Sequence, residues 1–106
     1  MINYFLIPGI NTSNSINALS VFEQVERFTG VSEKELMSKS RMRYIVDARV
    51  LFTKVMKTRT VYTLQKVGGY INRDHSAVIH YLKQFEALSK TDKEFYFTYL
   101  KILNNL

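Results

Sequence analysis

The stretch TLQKVGGYINRDHSAVIH, residues 63–80, decides the fold. Thr63 can cap a helix that carries Leu64 and Val67 inward, and the adjacent Gly68 and Gly69 weaken its continuation, so it ends between Gly68 and Ile71. A turn at Asn72 and Arg73 follows. Asp74 is then a good N-cap, because its carboxylate can accept a hydrogen bond from a first-turn N–H. Beyond it Val78, Leu82 and Phe85 fall at i, i+4 and i+7 on one apolar stripe, with Ile79 and Leu88 beside it. Two helices joined by a turn of about three or four residues, the second opening on small polar side chains, describe a helix-turn-helix. Such a motif sends the first turn of its second helix foremost into the major groove of a duplex. The residues there are Arg73, which can donate to guanine, His75, which can donate or accept at base edges, and Ser76, which can touch base or phosphate. Asp74, an anion beside phosphates, reads better as a cap.

Working outward, residues 44–57 predict a longer helix with Ile45, Ala48, Leu51, Phe52, Val55 and Met56 on one face, and Arg49, Lys54 and Lys57 pointing elsewhere. Ser32 to Glu35 is a capping box opening a short helix to Met37, with Leu36 and Met37 inward. Val21, Phe22, Val25 and Phe28 place a helix over 17–29, stopped by Gly30. Downstream, Thr91 to Glu94 predicts a second capping box and a final helix with Phe95, Tyr99, Ile102 and Leu103 inward. The expected fold is therefore an all-α bundle of about six helices containing a helix-turn-helix. Residues 1–16 differ: MINYFLIPGI is extended in type and apolar, and a polar stretch follows. They predict an arm and linker before a domain spanning 17–106. Tyr4, Phe5, Leu6 and Ile7 are costly to leave as an exposed patch, so the arm is expected to pack on the helices, on a protein partner or in a homodimer.

Composition narrows the function. The chain has 106 residues, enough for one domain with its own core. With no cysteine, disulfides, zinc fingers, iron–sulfur clusters and cysteine nucleophiles are excluded, in keeping with a reducing, cytoplasmic location. Asn3, Pro8 and Gly9 interrupt the early apolar run, which lacks the length and basic flank of a signal peptide or membrane span. The net charge of +6 is unevenly spread. Between Lys39 and Lys83 ten basic residues face only Asp47 and Asp74, leaving the rest of the chain slightly acidic, which is the footprint of a surface built for phosphates.

The segments running from Glu35 to Arg43, Asp47 to Arg49, Thr63 to Gly68 and Asn72 to Val78 together resemble the C-terminal DNA-binding domain of the bacterial chromosomal replication initiator DnaA. The match in order and spacing covers residues 32–88. The resemblance implies a Trp-repressor-like helical bundle that binds double-stranded DNA and acts in replication initiation or its regulation, close to the nucleoid. It implies that Arg41, in the loop after the short helix, enters the minor groove, where a narrow groove concentrates negative potential. Arg43, Arg49 and Lys57 would hold phosphates, which position the domain without reading sequence. Arg73, Asp74, His75 and Ser76 match the major-groove segment, Ser76 standing for a threonine. Lys39, Thr63, Leu64, Gln65 and Ala77 complete the expected DNA-facing set. Ala77 replaces a second threonine, Gln65 replaces a proline, and the turn from Gly69 to Asn72 is about one residue shorter than in the initiators, all of which bear on the target sequence.

Other chemistries find little support. His75 and His80 lie about 140° apart around a helix, the wrong placement for joint metal ligation. Asp74 and His75 are neighbours that do not face each other, and no nucleophile accompanies them, so no enzyme is expected. No GxxxxGK[ST] phosphate loop occurs, so neither nucleotide nor another cofactor is expected. Most of the aromatic residues fall at core spacing, with Tyr44, Tyr62, Tyr70 and Tyr81 offering candidates for phosphate hydrogen bonds. The competing function is a protein-interaction module that keeps the fold and acts on an initiator or another partner without touching DNA. The basic residues at the phosphate-facing positions argue for DNA.

Overall fold

Local capping chemistry sets where most of the helices begin. A computed structural model describes residues 16–106, and its helices are α1 (Ala18–Thr29), α2 (Glu33–Met37), α3 (Arg43–Arg59), α4 (Leu64–Tyr70), α5 (His75–Thr91) and α6 (Lys93–Asn104). Asn17, Ser32, Thr63, Asp74 and Asp92 each accept a hydrogen bond from the first turn of the helix they precede, and α2 has the full capping box with Glu35. Gly30, at φ 79°, closes α1 in the left-handed conformation that a side chain would resist.

The all-α reading and the helix-turn-helix of α4 and α5 are both present. Some local expectations differ. The cap of α6 is Asp92, not Thr91, whose hydroxyl donates back to the Ala87 carbonyl at 3.0 Å and so closes the last turn of α5. The α4 helix ends at Tyr70, within the expected bounds, and the chain reverses at Asn72 as expected, where φ is +62°, a conformation asparagine tolerates better than most residues. Met37 is exposed rather than inward, at the last position of a helix too short to define a face. Ile79, beside the apolar stripe, is exposed on the face of α5 that carries Ser76. The apolar arm and nearly all of its linker lie outside the described residues, and Ile16, expected in that linker, is buried in the core.

Packing is organised around α3, which touches every other helix. Being surrounded, it buries far more than one stripe: Val50, Phe52, Thr53, Val55 and Met56 are all fully enclosed. Phe52 stacks on Phe22 of α1 with ring centroids 4.5 Å apart. On the other side Phe85 of α5 meets the edge of Tyr99 of α6 at 4.7 Å, and the Tyr99 hydroxyl pairs with that of Thr58 on α3 at 3.0 Å. Each such aromatic side chain contributes about 1.5–3 kcal/mol of burial, so α1 and α6 hold the frame against which α4 and α5 are set. Among the described residues no helix is long and apolar enough to cross a membrane.

Candidate nucleic-acid interface

The α4–α5 turn is built by backbone contacts that leave no room for a side chain. The Arg73 and Ile71 amides both donate to the Gly68 carbonyl, at 2.8 and 3.0 Å. A Cβ on Gly68 would run into the Arg73 carbonyl and lie 2.9 Å from Val78 Cγ2, so glycine is what lets α4 approach the start of α5 this closely. Asp74 then caps α5 through the Ala77 amide at 2.9 Å, which uses one carboxylate oxygen as expected of a cap. His75 and Ser76 follow on the first turn and are exposed, with Ile79, His80 and Lys83 exposed further along α5. Ala77 is half buried and packs on the core, so of the proposed reading residues it is the one turned partly away.

The loop between α2 and α3 is the second half of the site. Ser38 Oγ donates to the Glu35 carbonyl at 2.7 Å, the Ser40 amide donates to Ser38 Oγ at 3.2 Å, and the Met42 amide donates to Ser40 Oγ at 3.2 Å. This relay of serine turns holds the loop extended while Lys39 and Arg41 project from it, both exposed. The loop and α5 form the two walls of one groove, lined by Lys39, Arg41, Arg73, Ala77, His80 and Tyr81 among others.

Arg49 overturns its expectation as a phosphate ligand. It is 1% exposed, the largest fully enclosed side chain of the molecule's described part. Its Nε donates to the Leu36 carbonyl at 2.8 Å, Nη1 to Ser40 at 2.7 Å, and Nη2 to Ser38 at 2.7 Å and Glu35 at 3.4 Å. A guanidinium with its donors committed to buried carbonyls has nothing to offer a phosphate outside. Burial holds its pKa below the ordinary arginine value, the neighbouring Arg73 pushes in the same direction, and the Tyr81 hydroxyl acts against both. Tyr81 is itself buried, which removes it from the candidates for phosphate contact.

The remaining cations are placed differently. Arg43 is exposed and pairs with Asp47 one turn on, Nε to Oδ1 at 3.2 Å, a surface pair weak enough to yield to a phosphate. Lys57 is half buried and donates to the Tyr62 carbonyl at 2.7 Å, so it closes the α3–α4 corner and retains only part of its donor capacity. At that same corner Thr63 and Gln65 are exposed, Leu64 is half buried against the core, and Lys66 lies over the Tyr62 ring at 4.1 Å from its centroid. Tyr62 and Tyr70 pack together there, with centroids 6.1 Å apart, whereas Tyr44 is half exposed. These corner residues do not line the groove between loop and α5. Ile79, His80 and Lys83 are the residues sequence reasoning left out, and their spacing of three, four and seven from Ser76 is the signal that places them on its face.

A family model described as the bacterial dnaA protein helix-turn-helix matches residues 19–84, which takes in α1 through the start of α5 and both walls of the groove. The chain belongs to that DnaA helix-turn-helix family. Among curated relatives, the chromosomal replication initiator protein DnaA of Campylobacter concisus is 28% identical over 93 residues, covering 87% of this chain and 21% of the relative. The DnaA of a Wolbachia species from Brugia malayi is 32% identical over 82 residues, or 76% of this chain and 18% of the relative. That of Flavobacterium psychrophilum reaches 41% over 61 residues, 57% of this chain and 13% of the relative. The chain thus spans about a fifth of the length of the DnaA relatives it matches most extensively.

Proposed function

We propose that this chain binds double-stranded DNA sequence-specifically, with the start of α5 in the major groove and the Lys39–Arg41 loop in the adjacent minor groove, in replication initiation or its regulation. The observation that carries the reading is that a basic loop shaped by its own serine turns is hydrogen-bonded, through Arg73 to the Ser38 carbonyl, to the turn from which the exposed His75 and Ser76 open α5. Membership of the DnaA family and the concentration of cations in the same segment support it. In this reading His75 and Ser76 meet base edges, and Ile79 offers an apolar surface to a thymine methyl. Lys39, Arg43, Lys57 and Lys66 meet phosphates, and Arg41 senses groove width. The domain comprises residues 17–106.

Sequencing duplexes retained from a random pool identifies the target, and two substitutions then separate its readers. His75→Ala is expected to lose about 1–3 kcal/mol on the selected duplex and little on a scrambled one. Lys39→Ala is expected to weaken both duplexes by a similar factor, since a phosphate contact carries no sequence information. A competition titration checks both. Equal loss on both duplexes for His75→Ala, with the fold intact by circular dichroism, would remove α5 as the reading helix. A pool that yields no enriched duplex would favour the protein-interaction function.

A further inference from the structure

We infer that Arg73 is a positioning residue that locks the loop carrying Lys39 and Arg41 to the turn that launches α5, so that the two halves of the interface engage DNA as one unit. The inference rests on the DNA-binding reading proposed above. The Ser38 carbonyl accepts from two guanidinium groups at once, Arg73 Nη2 at 2.7 Å and Arg49 Nη2 at 2.7 Å. A carbonyl oxygen has two lone pairs, and here both are filled by cations. The other arm of Arg73 turns back on its own turn, with Nη1 donating to the Asn72 carbonyl at 3.1 Å and the Ile71 carbonyl at 3.3 Å. The side chain therefore bridges segments 35 positions apart in sequence, and among the described residues it makes the one side-chain hydrogen bond between this loop and the α4–α5 unit.

The division of labour follows from the two sets of contacts. Arg49 ties the loop to α3, through the carbonyls of Leu36, Ser38 and Ser40, and so gives it a shape. Arg73 gives it a distance from α5. Holding two guanidinium groups against one oxygen is electrostatically costly, and after burial the charge of Arg73 is the next cause that lowers the Arg49 pKa. A fold that maintains this pairing fixes the spacing of its two DNA-facing segments before DNA arrives, which removes ordering cost from binding. It also redirects the chemistry expected of Arg73 from its sequence. Three of the five guanidinium donors are committed to Ser38, Asn72 and Ile71, which fixes the side chain against the loop and leaves His75 and Ser76 as the freely exposed side chains for base reading at this turn.

The test combines a binding cycle with a measurement that needs no DNA. Arg41→Ala and Arg73→Gln are made singly and together, and affinity for the selected duplex is measured for each. If Arg73 positions the loop, each single change costs about tenfold, and Arg41→Ala in the Arg73→Gln background costs less than about twofold, because a loop no longer held in register cannot use Arg41. In the free protein, exchange of the Ser40 and Met42 amides should accelerate by about tenfold or more in Arg73→Gln while exchange within α3 does not change. Arg73→Lys, which keeps one donor for Ser38 but loses the fork, should fall between parent and Arg73→Gln in both readouts, and it carries the same cycle if Arg73→Gln does not fold. Additive costs with unchanged loop exchange would overturn the inference and return Arg73 to base reading, most directly if the selected sequence also changed. If the parent bound no duplex, the DNA reading would fall, while unaltered or accelerated exchange would still decide whether Arg73 holds the loop.

Discussion

Arg49→Met is expected to lower the melting temperature by at least about 12 °C. The methionine keeps most of the packing of the aliphatic stem but leaves the Leu36, Ser38 and Ser40 carbonyls without the charged donor that reaches them at 2.7 to 2.8 Å. A hydrogen bond to a charged group contributes about 1.5–3 kcal/mol net. Water can return to part of the loop, and Arg73 still reaches the Ser38 carbonyl, so the sum is smaller than three full bonds, about 3–5 kcal/mol. A domain of this size shifts by about 4–8 °C per kcal/mol. Arg49→Lys should recover only a fraction, since an ammonium cannot spread its donors over carbonyls on both sides of the loop. Thermal melts followed by circular dichroism decide it, and a drop below about 4 °C would mean that water serves these carbonyls as well as the guanidinium does.

The second large effect is a contrast between neighbouring glycines. Gly68→Ala is expected to cost about 2 kcal/mol or more, and Gly69→Ala to stabilise by up to about 1 kcal/mol. Both sit in α4, so both gain helix propensity from alanine. At Gly69 a Cβ meets nothing within 4 Å. At Gly68 it meets the Arg73 carbonyl, a backbone atom that cannot swing aside, and Val78 of α5. Relief would require α4 and α5 to part, disturbing the Arg73 amide that donates to the Gly68 carbonyl at 2.8 Å. Denaturant unfolding of the two variants measures the difference. Similar stabilities would show that the α4–α5 approach is looser than described.

How much could be read from the sequence depended on how far each cause reaches along the chain. The caps at Ser32, Thr63 and Asp74 act over three residues, and all are legible where they stand, whereas Asn17, read from the periodicity as the first residue of α1, turns out to be its cap. At the start of α6 the same logic chose Thr91 over Asp92, because two capping patterns overlap there and only the hydrogen bond to Ala87 shows that Thr91 still belongs to α5. Arg49 was not legible as a core residue. Its type signals exposure, and what buries it is a set of carbonyls 9 to 14 positions earlier that the loop brings back over α3. The bond from Arg73 to Ser38 is longer in range still, and no periodicity reports it. Ile79 lies beside the apolar stripe of α5 in the sequence, and its side chain shares the exposed face that includes His80 and Lys83, which the stripe alone does not report.

The central claim is that the face carrying the Lys39–Arg41 loop and the exposed start of α5 is a surface for duplex DNA, and its most direct test is the salt dependence of binding. A labelled duplex drawn from the selected pool is titrated with the chain at several salt concentrations. With Arg49 enclosed, the cations left for phosphates are Lys39, Arg43, Lys57, Lys66 and Lys83, together with Arg41. About four to six such contacts release enough counterions to give a log–log slope of about −4 to −5. A steep slope in that range, shallower by about 1 in Lys39→Ala, is the result predicted. A flat response, or no binding even at low salt, would contradict it.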